Sequence, residues 1–295
     1  MNALSPVLLY GRLIRFSHSI FALPFALSGA ALAAAVTGIH PRQLLWIVAA
    51  MVAARSAAMG FNRIVDRRID AANPRTAQRE LVTGALSTGA AAAFVVLSSA
   101  VFVAAAWQLN PLCLALSPAA LAVILGYSYT KRFTWASHLF LGASLGLAPL
   151  GAWIAVTGGF ALPPVLLGLA VLAWVAGFDV LYACQDHDFD IGAGLHSIPA
   201  RFGLAGALRL ARLFHLLAVL LMAWVGLAAG LHLVYFAGVA AIAALLAWEH
   251  RLVKADDLTR VNTAFMTMNS LVSIAYFAFT LADLLIFGGA PRLLP

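Results

Sequence analysis

The chain reads as an all-α, polytopic membrane protein, and three observations carry that reading. Hydrophobic residues make up 63% of its 295 residues and charged residues only 10%, where a soluble domain carries about 25% charged residues. No Asp, Glu, Lys or Arg occurs between Leu81 and Thr130. Apolar runs of roughly 20 residues, the length a helix needs to cross the hydrocarbon core, follow one another along the sequence.

The runs divide into nine expected spans, at 16–37, 43–66, 86–108, 111–130, 137–157, 162–187, 206–229, 232–249 and 262–287. Turn residues separate them: Gly38-Ile39-His40-Pro41, Asn110-Pro111, Gly158-Gly159 before Pro163-Pro164, and Gly230-Leu231-His232. These are residues that end helices or cannot continue them. Arg12 and Arg15 precede an Ala-rich run that resembles a signal peptide, but it is long enough to span and is read as the first helix. No repeat or low-complexity linker divides the chain, so 1–295 is expected to be one domain, with its helices around a central cavity.

The basic residues orient it. The loops 38–42, 109–110, 158–161 and 230–231 hold one basic residue, Arg42. Those on the other side hold Arg63, Arg67, Arg68, Arg75, Arg79, Lys131, Arg132, Arg201, Arg251, Lys254 and Arg260. The positive-inside rule then places the N-terminus, the long loops and the cavity mouth on the cytoplasmic side of the inner membrane. The net charge of +7 and pI of about 10.0 are accounted for by this asymmetry, which excludes nucleic acid as a partner. Cys113 and Cys184 lie in apolar stretches and imply no disulfide framework.

Six of the eleven acidic residues fall in two short windows. One is Asn62-Arg-Ile-Val-Asp66-Arg-Arg-Ile-Asp70, at the end of the second span. The other is Asp179-Val-Leu-Tyr182-Ala-Cys-Gln-Asp186-His-Asp188-Phe-Asp190, at the end of the sixth. Ionisable groups are costly in membrane helices and mark functional paths. At about 100° per residue, Asn62, Asp66 and Asp70 share a helix face, as do Tyr182, Asp186 and Asp190. Two such ladders facing across a cavity make an all-oxygen site suited to Mg²⁺ and a phosphate-bearing substrate. Asp188 projects the other way and is expected in solvent.

Bases that suit a diphosphate lie between the ladders. They are Arg75 and Arg79, four apart; Lys131, after Tyr127-Ser128-Tyr129; and His196, in His196-Ser-Ile-Pro-Ala-Arg201. Arg15, at the start of the first span, joins this substrate-binding set. Arg grips phosphate bidentately and Lys acts as a point charge. Arg67, Arg68, Arg132 and the bases of 249–260 are read as orientation signals only. No His-x-x-x-His, Cys-x-x-Cys, Ser-based triad or Gly-rich phosphate loop is present.

At these residues the chain resembles the UbiA superfamily of intramembrane prenyltransferases. The family's Asn-x-x-x-Asp-x-x-x-Asp signature is matched by Asn62, Asp66 and Asp70, and its second Asp-x-x-x-Asp, following a Tyr, by Tyr182, Asp186 and Asp190. Arg75 and Arg79 match its Arg-x-x-x-Arg segment; Tyr127, Ser128 and Lys131 match Tyr-Ser-x-x-Lys. The chain departs from the usual pattern at Arg63, often Asp; at Glu80, commonly Pro; and at His196, often Lys. None of the three is an expected metal ligand.

The resemblance implies that a polyprenyl diphosphate ionises and that the allylic cation attacks an aromatic acid in quinone biosynthesis. The expected acceptor is 4-hydroxybenzoate, with 1,4-dihydroxy-6-naphthoate, haem and a lipid glycerol phosphate as alternatives. Asp66, Asp70, Asp186 and Asp190 are then expected to hold two Mg²⁺ ions, Asn62 to bind metal or phosphate, and Tyr127 and Tyr182 to shield the cation, while the tail leaves sideways into lipid.

Arg55 lies seven residues before Asn62 and Asp179 seven before Asp186, each about 10 Å deeper along its ladder's face. They either pair with each other or bind the acceptor, Arg55 at its carboxylate and Asp179 at its ring hydroxyl. A transporter is the rival class. It would favour ionisable groups at the midplane and internal repeats, and only Arg55 and Asp179 come near that.

Overall fold

The computed structural model describes residues 6–14 and 21–287. Its helices are α1 (Pro6–Leu13), α2 (Leu23–Thr37), α3 (Pro41–Val65), α4 (Arg67–Ala72), α5 (Thr88–Leu109), α6 (Pro111–Thr130), α7 (Ser137–Thr157), α8 (Leu162–Ala183), α9 (His187–Gly192), α10 (Ile198–Ala229), α11 (Leu233–Leu252), α12 (Val261–Thr263) and α13 (Asn269–Ile286). A 3₁₀ turn, Cys184–Asp186, joins α8 to α9, and a π turn, Ala264–Met268, joins α12 to α13. Among the described residues, eight helical segments are long and apolar enough to cross a membrane. The first expected span, 16–37, is represented by α2, which at 15 residues is shorter; the start of that span, and Arg15 just before it, lie outside the described residues.

Local sequence sets most of the boundaries. Pro at the first or second position starts α3, α6, α8 and α10, where the missing N–H would have had no helical partner. Asn110 caps α6 by accepting from Cys113 N–H at 2.9 Å. Helix α10 begins at Ile198, eight residues before the expected 206, because Ser197 caps it by accepting from Ala200 N–H at 3.3 Å. Gly203, at φ 69°, bends the chain just after that first turn.

Helices α2, α7, α8, α10, α11 and α13 form a closed circuit of neighbours, and α3, α5 and α6 join it along α7. The most enclosed helix is α8, which buries Trp174, Val175, Ala176 and Val180 completely. Close approach of α7 and α8 depends on small residues, as in many membrane helix pairs. A Cβ on Gly142 would overlap the Leu172 carbonyl, and Gly146 and Gly168 face each other across the same seam.

Most polar groups inside the bundle are paired with one another, as a medium without water favours. Asn269 donates from Nδ2 to Glu249 Oε1 at 2.7 Å and accepts from Trp174 Nε1 at 2.8 Å, joining α13, α11 and α8. Asp283 accepts from the His232 and Tyr235 N–H groups at the start of α11, at 2.8 and 3.0 Å.

Candidate active site at the head of an apolar cavity

The two acidic windows fold alike, and differently from the continuous ladders expected. In each, the membrane helix ends at or just before the central aspartate and a six-residue helix follows: α3 to α4 through Asp66 alone, and α8 to α9 through the 3₁₀ turn Cys184–Asp186. Asp66 (φ −88°, ψ 1°) and Asp186 (φ −100°, ψ 5°) both sit in the bridge region, which is sparsely populated and frequent in active sites. The four-residue hydrogen-bond rhythm survives the first break, with Asp66 N–H to Asn62 O at 2.9 Å and Asp70 N–H to Asp66 O at 2.8 Å. Neither central aspartate caps the helix it precedes, so each carboxylate is left for other partners.

Those partners are cations and amides. Asp66, only 2% exposed, accepts from Lys131 Nζ at 2.6 Å, Arg132 Nη2 at 3.0 Å and Asn62 Nδ2 at 3.0 Å. Asp70, 4% exposed, accepts from Arg79 Nη1 at 2.6 Å. Asp186 takes a two-pronged grip from Arg75, with Nε to Oδ1 at 2.9 Å and Nη2 to Oδ2, and also accepts from Asn73 Nδ2 at 2.9 Å. Asp190 accepts from Ser197 Oγ at 2.8 Å and lies within electrostatic reach of Lys131.

The loop after the first window is therefore tied directly to the second. Burial of the Arg75 guanidinium lowers its pKa, but the hydrogen bond and charge of Asp186 outweigh that and raise it above the ordinary arginine value. Arg75 stays cationic at any physiological pH. Its Nη1 also donates to Tyr182 Oη at 3.0 Å, and its Cζ lies 5.1 Å from the centre of that ring.

Three of the four carboxylates are thus paired with four cations, and Asp190 is held by a hydroxyl. Among the described residues no three Asp, Glu, His or Cys groups converge as a ready metal cage; the bases take the carboxylate oxygens instead. The donor set still fits a hard cation, being four carboxylates plus the Asn62 amide oxygen, which accepts no hydrogen bond among the described residues. Among the described residues the buried Nε–H of Arg79 has no acceptor, a place for an anionic oxygen.

Below the carboxylates lies a cavity of about 560 Å³, whose wall includes Arg55, Arg63, Arg79, Tyr127, Asp179 and Tyr182. The rest is almost entirely apolar and runs along α6 from Tyr127 to Cys113, roughly 21 Å at about 1.5 Å per residue. Such a chamber can hold a hydrocarbon chain and keep water from its head.

Arg55 and Asp179 both line this cavity, but the hydrogen-bond partner of Asp179 is His138, whose Nδ1 lies 2.7 Å from Oδ2. Arg55 donates from Nη1 to the Ile14 carbonyl at 3.5 Å. Tyr182 packs on Phe265 with ring centres 4.4 Å apart. Ser128 is buried, and its carbonyl accepts from Arg132 Nη1 at 2.8 Å. The backbone N–H of His196 donates to the Lys131 carbonyl at 2.8 Å while its side chain is exposed. Asp188 is in solvent.

The structure corrects the reading of Arg132 as an orientation signal, since it contacts Asp66 directly. Arg67 does act structurally, donating to the Leu81 carbonyl at 3.0 Å. Asn73, His138 and Ser197 were not expected at the site. A signal for Asn73 was present, because Asn before Pro-Arg favours a turn in which its side chain accepts a nearby N–H, here that of Arg75 at 2.9 Å.

Residues 22–271 match the UbiA prenyltransferase family. A curated relative from Methylobacillus flagellatus, named 4-hydroxybenzoate octaprenyltransferase, is 33% identical over 81% of this chain and 80% of its own. One of the same name from Cronobacter sakazakii is 30% identical over 94% and 96%. Among solved structures, the apo UbiA homologue from Aeropyrum pernix K1 superposes with a TM-score of 0.82 at 38% identity, covering 90% of this chain and 98% of that one. The Archaeoglobus fulgidus UbiA homologue bound to DMAPP and Mg²⁺ gives 0.70 at 20% identity, over 94% and 99%, and shares the fold. The chain is a multi-pass membrane prenyltransferase and belongs to the UbiA prenyltransferase family.

Proposed function

We propose that the protein transfers a polyprenyl group from its diphosphate to the ring of 4-hydroxybenzoate, in quinone biosynthesis at the cytoplasmic face of the inner membrane. The observation that carries this reading is the meeting of four cations with three ion-paired carboxylates, with Asp190 held by Ser197, at the head of a long apolar cavity. Relatives named for 4-hydroxybenzoate support the acceptor. A UbiA homologue solved with DMAPP and Mg²⁺ supports the donor class and the metal. The asymmetry of basic loops supports the orientation.

Asp66, Asp70, Asp186, Asp190 and the Asn62 amide oxygen would hold Mg²⁺, which supplies positive charge to the diphosphate. Cation and carboxylate charges cancel in the structure as it stands. Arg75, Arg79 and Lys131, which now pair with these carboxylates, would grip the phosphate oxygens, with the unpartnered Arg79 Nε–H as one donor. His196 and Arg15 complete the proposed binding set.

As the allylic C–O bond breaks, its electron pair leaves with the diphosphate, and these donors stabilise the growing negative charge. The π faces of Tyr127 and Tyr182 shield the positive carbon. Arg55 holds the acceptor's carboxylate and Asp179 accepts from its hydroxyl. In 4-hydroxybenzoate the position para to the hydroxyl is occupied, so the new C–C bond forms ortho to it. The tail lies in the cavity and passes between helices to lipid.

The test is product formation against Mg²⁺ concentration for the wild type, Asp66→Ala and Asp186→Ala. Loss of product in both variants, with folding retained, is the expected result. Wild-type turnover in either would remove the carboxylates from the mechanism.

A further inference from the structure

We infer that His138 is a positioning residue, one that holds Asp179 oriented to take the proton the aromatic ring gives up. The inference rests on the acceptor site proposed above, because it assigns the base for that same reaction. His138 is in the first turn of α7 and 4% exposed. Its two ring nitrogens have different partners. Nε2 faces the backbone N–H of Ile198 at 3.3 Å, and Nδ1 faces Asp179 Oδ2 at 2.7 Å.

An N–H can only donate, so Nε2 is the acceptor and carries no proton. In the neutral ring the proton is then on Nδ1, which donates to the carboxylate. The Ile198 amide is available for this because it is the first of α10, and the first N–H groups of a helix have no intrahelical acceptor. One tautomer of His138 is fixed by the start of another helix, and its donor by Asp179.

This arrangement leaves Asp179 with one oxygen committed and one open. Oδ2 is held by His138, while Oδ1 accepts no hydrogen bond among the described residues. The side chain is 25% exposed and lines the cavity with Arg55 and Tyr127. The imidazole is less suited to be the base itself, since its lone-pair nitrogen is turned toward α10.

The reaction must lose a proton. When the allylic carbon bonds to the ring, that ring carbon still bears hydrogen. Its C–H electron pair restores the aromatic sextet and the proton passes to Asp179 Oδ1. Diphosphate has left with the C–O pair, and the carboxylic acid returns its proton to solvent after product departs, so atoms and charge balance.

The same strap of chain serves the metal end. Successive residues donate to three parts of the site: His196 N–H to the Lys131 carbonyl at 2.8 Å, Ser197 Oγ to Asp190 Oδ2 at 2.8 Å, and Ile198 N–H to His138. Residues 196–198 thereby keep proton acceptor and diphosphate site in register.

The experiment compares 4-hydroxybenzoate with the same acid deuterated ortho to its hydroxyl, using full-length wild type, His138→Leu and His138→Asn in lipid. In the wild type, proton loss follows a slower ionisation and the isotope effect stays near unity. His138→Leu lowers kcat by about 10²-fold, the low end of a general base's contribution, and brings out a normal primary isotope effect. Its KM for the prenyl diphosphate is unchanged. His138→Asn, whose amide donates from close to the Nδ1 position, recovers most of kcat and suppresses the isotope effect.

An isotope effect near unity in a folded His138→Leu protein would overturn the inference, as would an asparagine variant no better than leucine. Should the leucine variant fail to fold, Asp179→Asn carries the same readout with the same expected and contrary results. Wild type that gives no product from the acid defeats the acceptor reading, and this inference with it, whereas wild-type turnover with a flat isotope effect in the variants defeats the dyad alone.

Discussion

Replacing Arg75 with lysine separates geometry from charge at the point where the two acidic windows are joined. The guanidinium makes two hydrogen bonds to Asp186, one of 2.9 Å from Nε and one from Nη2, and a third of 3.0 Å to Tyr182 Oη. A lysine ammonium keeps one ion pair with the carboxylate and gives up the other prong and the tyrosine contact. A hydrogen bond to a charged group is worth about 1.5–3 kcal/mol and an ordinary one about 0.5–1.5. Arg75 is 29% exposed, and solvent reduces the combined loss to about 2 kcal/mol. At about 1.4 kcal/mol per factor of ten, that is roughly 30-fold.

The same fork is proposed to grip two phosphate oxygens, so the loss is expected in kcat/KM for the polyprenyl diphosphate. Both side chains are cationic at assay pH, Arg75 firmly so because of Asp186, and protonation therefore does not confuse the comparison. Arg75→Met, which removes the charge as well, is expected to fall at least about tenfold further, one more charged contact being lost. An Arg75→Lys enzyme within twofold of wild type, or one no better than Arg75→Met, would refute the reasoning.

Arg55→Leu is expected to raise KM for the aryl acid by about 10- to 100-fold, the loss of one charged hydrogen bond, with KM for the diphosphate unchanged; steady-state kinetics with each substrate varied checks this. Ala120→Phe narrows the cavity about two turns, or roughly 10 Å, below Tyr127, so long prenyl donors should lose activity while short ones keep it in a chain-length series. Gly142→Leu drives side-chain atoms into the Leu172 carbonyl, an overpacking that costs about 1–3 kcal/mol, and thermal aggregation in detergent should begin at lower temperature than for wild type.

Much of the site was legible because its residues repeat every four positions in a chain almost without acids, so Asp66, Asp70, Asp186 and Asp190 stand out. The breaks at Asp66 and Asp186 were not read, although Asp favours the position before a helix; a four-residue repeat alone suggests an unbroken face. Arg132 was taken for a topology signal because a basic residue in a short loop serves that role anywhere, and only the fold brings it onto Asp66. His138 joins Asp179 and Ile198 across 41 and 60 residues, and no local pattern marks contacts so far apart. The early start of α10 was readable, since Ser197 with Pro199 two positions on is a helix-start signal.

The most direct test of the central claim is prenyl transfer by the purified protein in lipid, with a long-chain polyprenyl diphosphate and either Mg²⁺ or EDTA. 4-Hydroxybenzoate and 1,4-dihydroxy-6-naphthoate are offered in parallel, and products are read by mass. Prenylated 4-hydroxybenzoate is expected with Mg²⁺ and none with EDTA. Product from the naphthoate alone would contradict the acceptor, and product that survives EDTA would contradict the role given to the four aspartates.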